Sequence, residues 1–372
     1  MREGRKGALS QTQAALVLLA PFLVTYALFL VYPFFRGVWI SLHDWNLLAV
    51  AFNPDAKEFI GFRNYERVMW GRNIEWGLFA APFWQGLGLI GLALSFALPM
   101  AGRLRRFNAL ALGIASLLLV ILLGFHPGEE GRWYDRRFWP TVGNTILFVG
   151  WTVPGVTISA LVLAAAMNRE TRTMDVLRTL FFLSQVLSVT VVTLIWQIMF
   201  SPRQGLIANI TEVFGGTPIN WLTDDQFAMA AIVIATIWWS LGIAMILFLA
   251  GLQDISKDIY EAAALDNARG AKAFWYVTLP NLKRTITLVV VLQIILHFQV
   301  FGQSHLMTQG GPNDTTQAQG GPNDTTQVLV RYIYQTGFRD SELGRASAMA
   351  VFLFVIMGTF SVIQFVVGRE KT

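Results

Sequence analysis

No cysteine occurs among the 372 residues, which excludes structural disulfides, zinc–thiolate centres and thiol catalysis. Charge is also scarce. Asp, Glu, Lys and Arg make up 14% of the chain, whereas a water-soluble domain carries about a quarter because its surface must meet water. There are 4 histidines. His297 and His305 have no carboxylate near them in sequence, so a metal site or proton relay there lacks its partners. Nor does the chain contain a G-x-x-x-x-G-K-[ST] loop, the backbone cradle that would hold nucleotide phosphates.

What the chain does contain is apolar surface: 54% hydrophobic residues and a mean hydropathy of +0.51. A soluble fold of this size could not hide so much, and the pattern points to a bilayer as solvent. A helix crossing the hydrocarbon needs about 20 mostly apolar residues. Eight segments qualify: Ala14–Phe35, Gly77–Pro99, Phe107–Phe125, Pro140–Met167, Leu177–Phe200, Phe227–Leu252, Thr285–Leu306 and Ala346–Val367. None contains Asp or Glu, and Arg178 near one end is their sole Lys or Arg. The expected fold is an all-α polytopic bundle of about eight transmembrane helices. The first segment exceeds a signal-peptide h-region and has no convincing cleavage site, so it reads as a retained span. Pro33 and Pro154 are expected as kinks, tolerated where neighbours or water meet the freed carbonyl.

An even number of spans puts both termini on one side. Basic residues gather there, in "REGRK", "GRLRR", "NRETRTMDVLR" and the tail "GREKT". Positive charge accumulates in cytoplasmic loops, so both termini are expected to be cytoplasmic. The net charge of +5 is accounted for in this way, without a nucleic-acid partner.

On the same side lies the polar island Tyr260–Pro280, "YEAAALDNARGAKAFWYVTLP". Ser256 is placed to cap a helix starting at Lys257, with Asp258 at its positive end. Ile255, Ile259 and Ala262 or Ala263 recur at helical spacing, and the alanines keep that face thin enough for close approach. Glu261 and Asp266 fall on the polar side. Asn267 is an expected break because Asn tolerates left-handed backbone. A second short helix is predicted over Ala271–Leu279, with Pro280 ending it or beginning the next. By spacing alone the pair reads first as an ordinary interfacial loop and only second as a docking element.

"EAAALDNA", then Phe274, then "VTLP" resembles the cytoplasmic loop of binding-protein-dependent ABC importer permeases. "FIGFRNYERVM", "NTILF", "LRTLFFLSQVLS", "LIWQIMF", "FQVFGQSHLMTQGGP" and "VLVRYIYQTGF" follow in that family's order. The resemblance covers most of the chain except roughly residues 72–137 and is nearest to carbohydrate permeases of the maltose type. It departs in having Asn267 for the usual Gly, in an extra apolar hairpin, and in a doubled "QGGPNDTTQ" at 309–317 and 319–327. The implied organisation is an N-terminal span and extracytoplasmic segment (1–76), an inserted hairpin (77–139) and a permease core (140–372) with a coupling loop at 255–283.

The resemblance implies a non-enzymatic multi-pass subunit of a prokaryotic plasma (inner) membrane. Its partners would be a second permease, a dimeric cytoplasmic ATPase that binds the ATP and Mg, and an extracytoplasmic sugar-binding protein. This chain itself would hold no cofactor and no metal. Glu261, Ala262, Ala263, Asp266, Asn267, Phe274, Leu279 and Pro280 would engage the ATPase. Thr236, Trp239, Ser240 and Ile243 would line one wall of a sugar path, and Phe298, Gln299 and Gly302 the other. The residue types suit sugars, since aromatic faces meet C–H surfaces and amides or hydroxyls meet sugar hydroxyls, although tryptophans in spans also serve packing. The expected substrate is a di- or oligosaccharide of the maltose/maltodextrin or trehalose class, with glycerol-3-phosphate as the alternative. The doubled loop reads as a contact for the binding protein, as a gate at the outer mouth, or equally as a neutral duplication. Two other classes compete: an ion-coupled carrier, disfavoured by spans without carboxylates, and a membrane transferase using Asp224–Asp225 or Asp254, which lacks a supporting motif.

Overall fold

The computed structural model describes residues 11–70, 74–76, 82–100, 106–123, 125–127, 137–169, 171–203, 205–309 and 324–369. The first copy of "QGGPNDTTQ" after Gln309, nearly all of "GRLRR" and the N-terminal "REGRK" lie outside them. The chain packs as two units. One comprises Met1–Trp133 and Thr336–Val351, the other Tyr134–Gln335 and Phe352–Thr372.

Apart from two short antiparallel ribbons, the described elements are helical. Ala15–Ser41, Phe138–Met167, Ala228–Gln253 and Leu343–Val362 are each long and apolar enough to cross a membrane. In the first of these, Pro33 sits in the opening turn of Tyr32–Ser41, just after a π-helical turn over Ala27–Val31. Proline has no N–H to give, and the opening turn of a helix is where that lack is best tolerated. Pro154 is carried inside Phe138–Met167.

Two predicted spans are not single helices. Leu177–Phe200 is replaced by Arg172–Val186 and Val189–Met199, which meet at 104°. The cause is local: Ser188 is extended and its hydroxyl accepts from the Val191 N–H, so it starts a new helix instead of continuing the old one. Thr285–Leu306 is likewise shortened. Lys283–Phe298 meets the preceding Ala271–Asn281 at 67°, ends at Gln299, and is followed by a separate π turn over Ser304–Thr308.

In the first unit, Pro82–Met100 and Arg106–Leu123 pack as a helical hairpin, but their apolar parts, Phe83–Pro99 and Asn108–Leu123, are shorter than the two spans predicted there. Small side chains make the contact. A Cβ on Gly113 would sit 3.0 Å from the Ser95 hydroxyl, and one on Gly88 would meet Val120 at 2.6 Å. The ribbon Ile74–Trp76 with Phe125–Pro127 ties the base of the hairpin together.

The second unit has a core of Val156, Ala160, Ala164 and Met167 against Leu241, Met245, Phe248 and Leu252, closed by Leu282 and Val289. The alanines at four-residue spacing let the two long helices approach closely. Gly251 does the same for the loop exit, since a Cβ there would lie 2.6 Å from the Thr285 hydroxyl.

Candidate functional site

The polar island folds as two short helices. Lys257–Leu265 begins after Ser256, which has the extended backbone of a cap but no side-chain hydrogen bond. The expected hydroxyl cap is therefore not made. Asp258 lies in the first turn, where a carboxylate meets the positive helix end. The helix stops where the sequence indicates. Asn267 adopts φ +59°, and the Ala268 N–H returns to the Ala263 carbonyl at 2.9 Å.

The second helix runs Ala271–Asn281, beyond the predicted Leu279, because a π turn over Phe274–Thr278 carries it through Pro280. Tyr260 and Thr278 clasp the two helices, their hydroxyl oxygens 3.0 Å apart. Leu282, fully buried, and Ile255, packed on the same core, seat both ends of the loop on the second unit. Glu261, Ala262, Asp266, Asn267 and Pro280 are exposed, while Ala263, Phe274 and Leu279 are half-buried. Leu265, Trp275 and Tyr276 are also exposed, with Leu265 the most at 89%. These three lie outside the small and charged set predicted to engage a partner. Their signal was present in "FWY" and in a leucine on the polar side of a short helix.

The two predicted path walls converge on the broken span. On one, the Trp239 indole N–H donates to the Leu187 carbonyl at 3.2 Å. One turn on, a Cβ at Gly242 would approach the Phe181 carbonyl at 3.0 Å. On the other wall, a Cβ at Gly302 would meet a Val189 methyl at 2.5 Å. Leu187 and Val189 flank Ser188, so the bend lies between the walls. Across them, the Ser240 hydroxyl is 3.5 Å from His297 Nε2, and His297 Nδ1 is 2.7 Å from the Gln293 carbonyl. A carbonyl can only accept, so Nδ1 carries the proton.

The predicted lining residues separate by exposure. Ile243 and Gln299 are exposed, and Trp239, Ser240 and Gly302 are half-buried. Thr236 is buried and returns its hydroxyl to its own helix at the Ile232 carbonyl, 2.7 Å away. Phe298 is also buried, its ring 5.3 Å from Phe360. The sequence argument missed His297 as a link between the walls. It missed Ser188 as well, although Ser before "VTVV" is a recognisable helix start.

Beyond His297 the chain enters a buried polar cluster. Thr326 accepts from Ser304 through its carbonyl and pairs its hydroxyl with Thr308, 2.7 Å away. Asn144 donates to the carbonyls of Asp324 and Gln327, at 2.7 and 3.2 Å. Gln327 bonds both Gln335 and Arg331. The described end of the second copy, residues 324–327, is thus built into the fold. Burial pushes the Asp324 carboxyl up, against the opposing pull of Arg137 and Arg331. Among the described residues, no cluster of His, Asp or Glu could hold a metal ion.

A bundle of apolar helices, four of them long enough to cross a membrane, with a bent polar loop outside its core has the organisation of a multi-pass membrane protein. The family model "Binding-protein-dependent transport system inner membrane component" matches residues 155–370. The chain belongs to that family, the membrane-embedded permeases of ABC importers. It is 25% identical over 360 residues to a probable ABC transporter permease protein, YurN, of Bacillus subtilis, covering 95% of this chain and 96% of that one. It is 34% identical over 245 residues to the lactose transport system permease protein LacF of Rhizobium radiobacter, covering 64% and 78%. To the trehalose/maltose transport system permease protein MalF of Thermococcus litoralis it is 26% identical over 355 residues, covering 95% and 93%. A chain of a bacterial alginate ABC transporter, solved with its periplasmic protein bound to alginate pentasaccharide, shares the fold with a TM-score of 0.57. The match is 22% identical and covers 63% of this chain and 80% of that one.

Proposed function

We propose that this chain forms half of the translocation path of a sugar importer and is driven by a separate ATPase through the loop Lys257–Asn281. The observation that carries the reading is that loop: exposed, small-sided at Ala262 and Ala263, charged at Glu261, bent at Asn267, and anchored at both ends in the core. A rigid element so anchored transmits the closing motion of an ATPase dimer to the spans on either side, and the membrane halves rock between outward and inward access. Glu261 supplies the charged contact, and ATP and Mg stay on the partner. Both termini and the loop are cytoplasmic, as the distribution of basic residues suggests. Residues 1–76, 77–139 and 140–372 serve as entry span with cap, peripheral hairpin and transport core.

The substrate is a di- or oligosaccharide. Supporting this, relatives are named for lactose and for trehalose/maltose transport. The lining set Trp239, Ser240, Ile243, Gln299 and Gly302, with Thr236 and Phe298 behind it, offers aromatic faces, an amide and a hydroxyl. A permease of Brucella suis named for sn-glycerol-3-phosphate is 34% identical over 234 residues. A phosphate, however, calls for a cation on the path, and that set has none. Uptake of labelled lactose, trehalose, maltodextrin and glycerol-3-phosphate by a deletion strain carrying this chain tests the assignment. Uptake of a neutral glycan is expected, and uptake of the phosphate ester alone would overturn it.

A further inference from the structure

Where the first span ends, two cations sit on tryptophan faces. The Arg36 guanidinium carbon lies 4.2 Å from the centre of the Trp39 ring and 5.3 Å from that of Trp45. The Lys57 ammonium lies 5.7 Å from Trp45. Local structure dictates this. Arg36 and Trp39 are neighbours on one helix, three residues apart. In the ribbon, Asp44 faces Glu58, so the next residues to face each other are Trp45 and Lys57. Among the described residues, the ion pairs within 4.0 Å involve neither cation. An aromatic face accepts no N–H bond in the guanidinium plane, so the donors of Arg36 remain able to meet an anion.

Depth in the membrane follows from length. The apolar run 14–35 crosses about 30 Å at about 1.5 Å per residue, so Arg36 is the first side chain to reach headgroup level. Beyond it the helix Leu47–Phe52, capped by the Asn46 side chain, exposes Leu48 and Phe52, the latter to 90%. This apolar surface continues from a span none of whose hydrophobic window is buried in the protein. Indoles and cations at that boundary, with apolar side chains beside them, match the chemistry of a membrane–water interface.

We propose that Arg36 and Lys57, held by Trp39 and Trp45, seat the phosphate of an anionic phospholipid headgroup, with Leu48 and Phe52 set into the acyl boundary beside it. The site depends on the membrane placement of the chain and not on which solute the path carries.

Native mass spectrometry of the whole transporter, extracted from nanodiscs of equal phosphatidylglycerol and phosphatidylcholine, tests the seat. The Arg36→Gln/Lys57→Gln variant should lose one retained phosphatidylglycerol per chain, with phosphatidylcholine unchanged and affinity weakened about fivefold for each cation removed. Unchanged phosphatidylglycerol, or equal loss of both lipids, overturns the proposal. A second measurement does not depend on that variant folding. Because the chain has no cysteine, Phe52→Cys supplies a single thiol for a fluorophore at an exposed position. Brominated phosphatidylglycerol should quench it. Quenching by aqueous iodide alone, or protection of the label by the extracytoplasmic binding protein, would assign the surface to water or to a protein instead.

Discussion

The Trp239 indole donates its N–H to the Leu187 carbonyl, at the break between Arg172–Val186 and Val189–Met199. A carbonyl at membrane depth without a helical partner is costly, and this side chain satisfies it from the neighbouring span. Trp239→Phe keeps the ring and removes the donor. The expected loss is about 1 kcal/mol, seen as a shorter half-life of the detergent-solubilised protein and a lower transport rate. Equal half-lives would show that the bond does not hold the bend.

Gly302 is the corresponding contact on the opposite wall. Gly302→Ala places a methyl against Val189, and overpacking of this kind costs about 1–3 kcal/mol. The expected outcome is impaired transport that Val189→Ala, made in the same chain, restores. Failure of the second substitution to rescue would separate the two positions.

Asp324 carries a pH dependence. Burial holds its folded carboxyl above the ordinary carboxylate value, so folding favours the protonated form. The contribution is full below the unfolded value and is lost as pH rises through the folded one. Asp324→Asn, neutral throughout, should remove this dependence and leave a protein at least as stable at pH 7. Its backbone is left-handed at φ +49°, which Asn accepts. Asp324→Val should destabilise by strain at the same site. Thermal unfolding of the three proteins at pH 4 and pH 7 distinguishes them.

Removing residues 309–318 deletes one copy of the repeat and leaves an identical "DTTQ" to bond Asn144, Ser304 and Thr308. The closure entropy of a loop changes by roughly 1 kcal/mol or less over this range. Unchanged uptake is expected. Thr326→Ala, at a fully buried position, should by contrast reduce both stability and uptake. If the deletion alone abolishes uptake, the extra copy is itself functional.

The four long spans were legible because each is a run of residues that only a bilayer tolerates, and the Asn267 bend was legible because few residues accept that backbone. The break at Ser188 was not, since an apolar run of helical length hides a cap supplied by one serine. Nor was the use of Thr236 and Phe298 within the chain's own packing. Sequence gives their chemistry, but which partner takes a hydroxyl or covers a ring depends on neighbours such as Ile232 and Phe360. His297 went unassigned for a related reason. Its partners, Ser240 on another helix and the Gln293 carbonyl on its own, become visible only once the spans are packed.

The central claim is that this chain moves solute only when a separate motor acts on the exposed loop around Glu261. Sugar uptake into proteoliposomes tests it, comparing the chain alone, the complete transporter, and the transporter with Glu261→Lys. Accumulation is predicted only for the complete wild-type transporter with ATP, and the variant should stay in the membrane but lose both its ATPase and its uptake. Uphill transport by the chain alone without nucleotide, or full uptake by the variant with a normal complement of ATPase, would contradict the account.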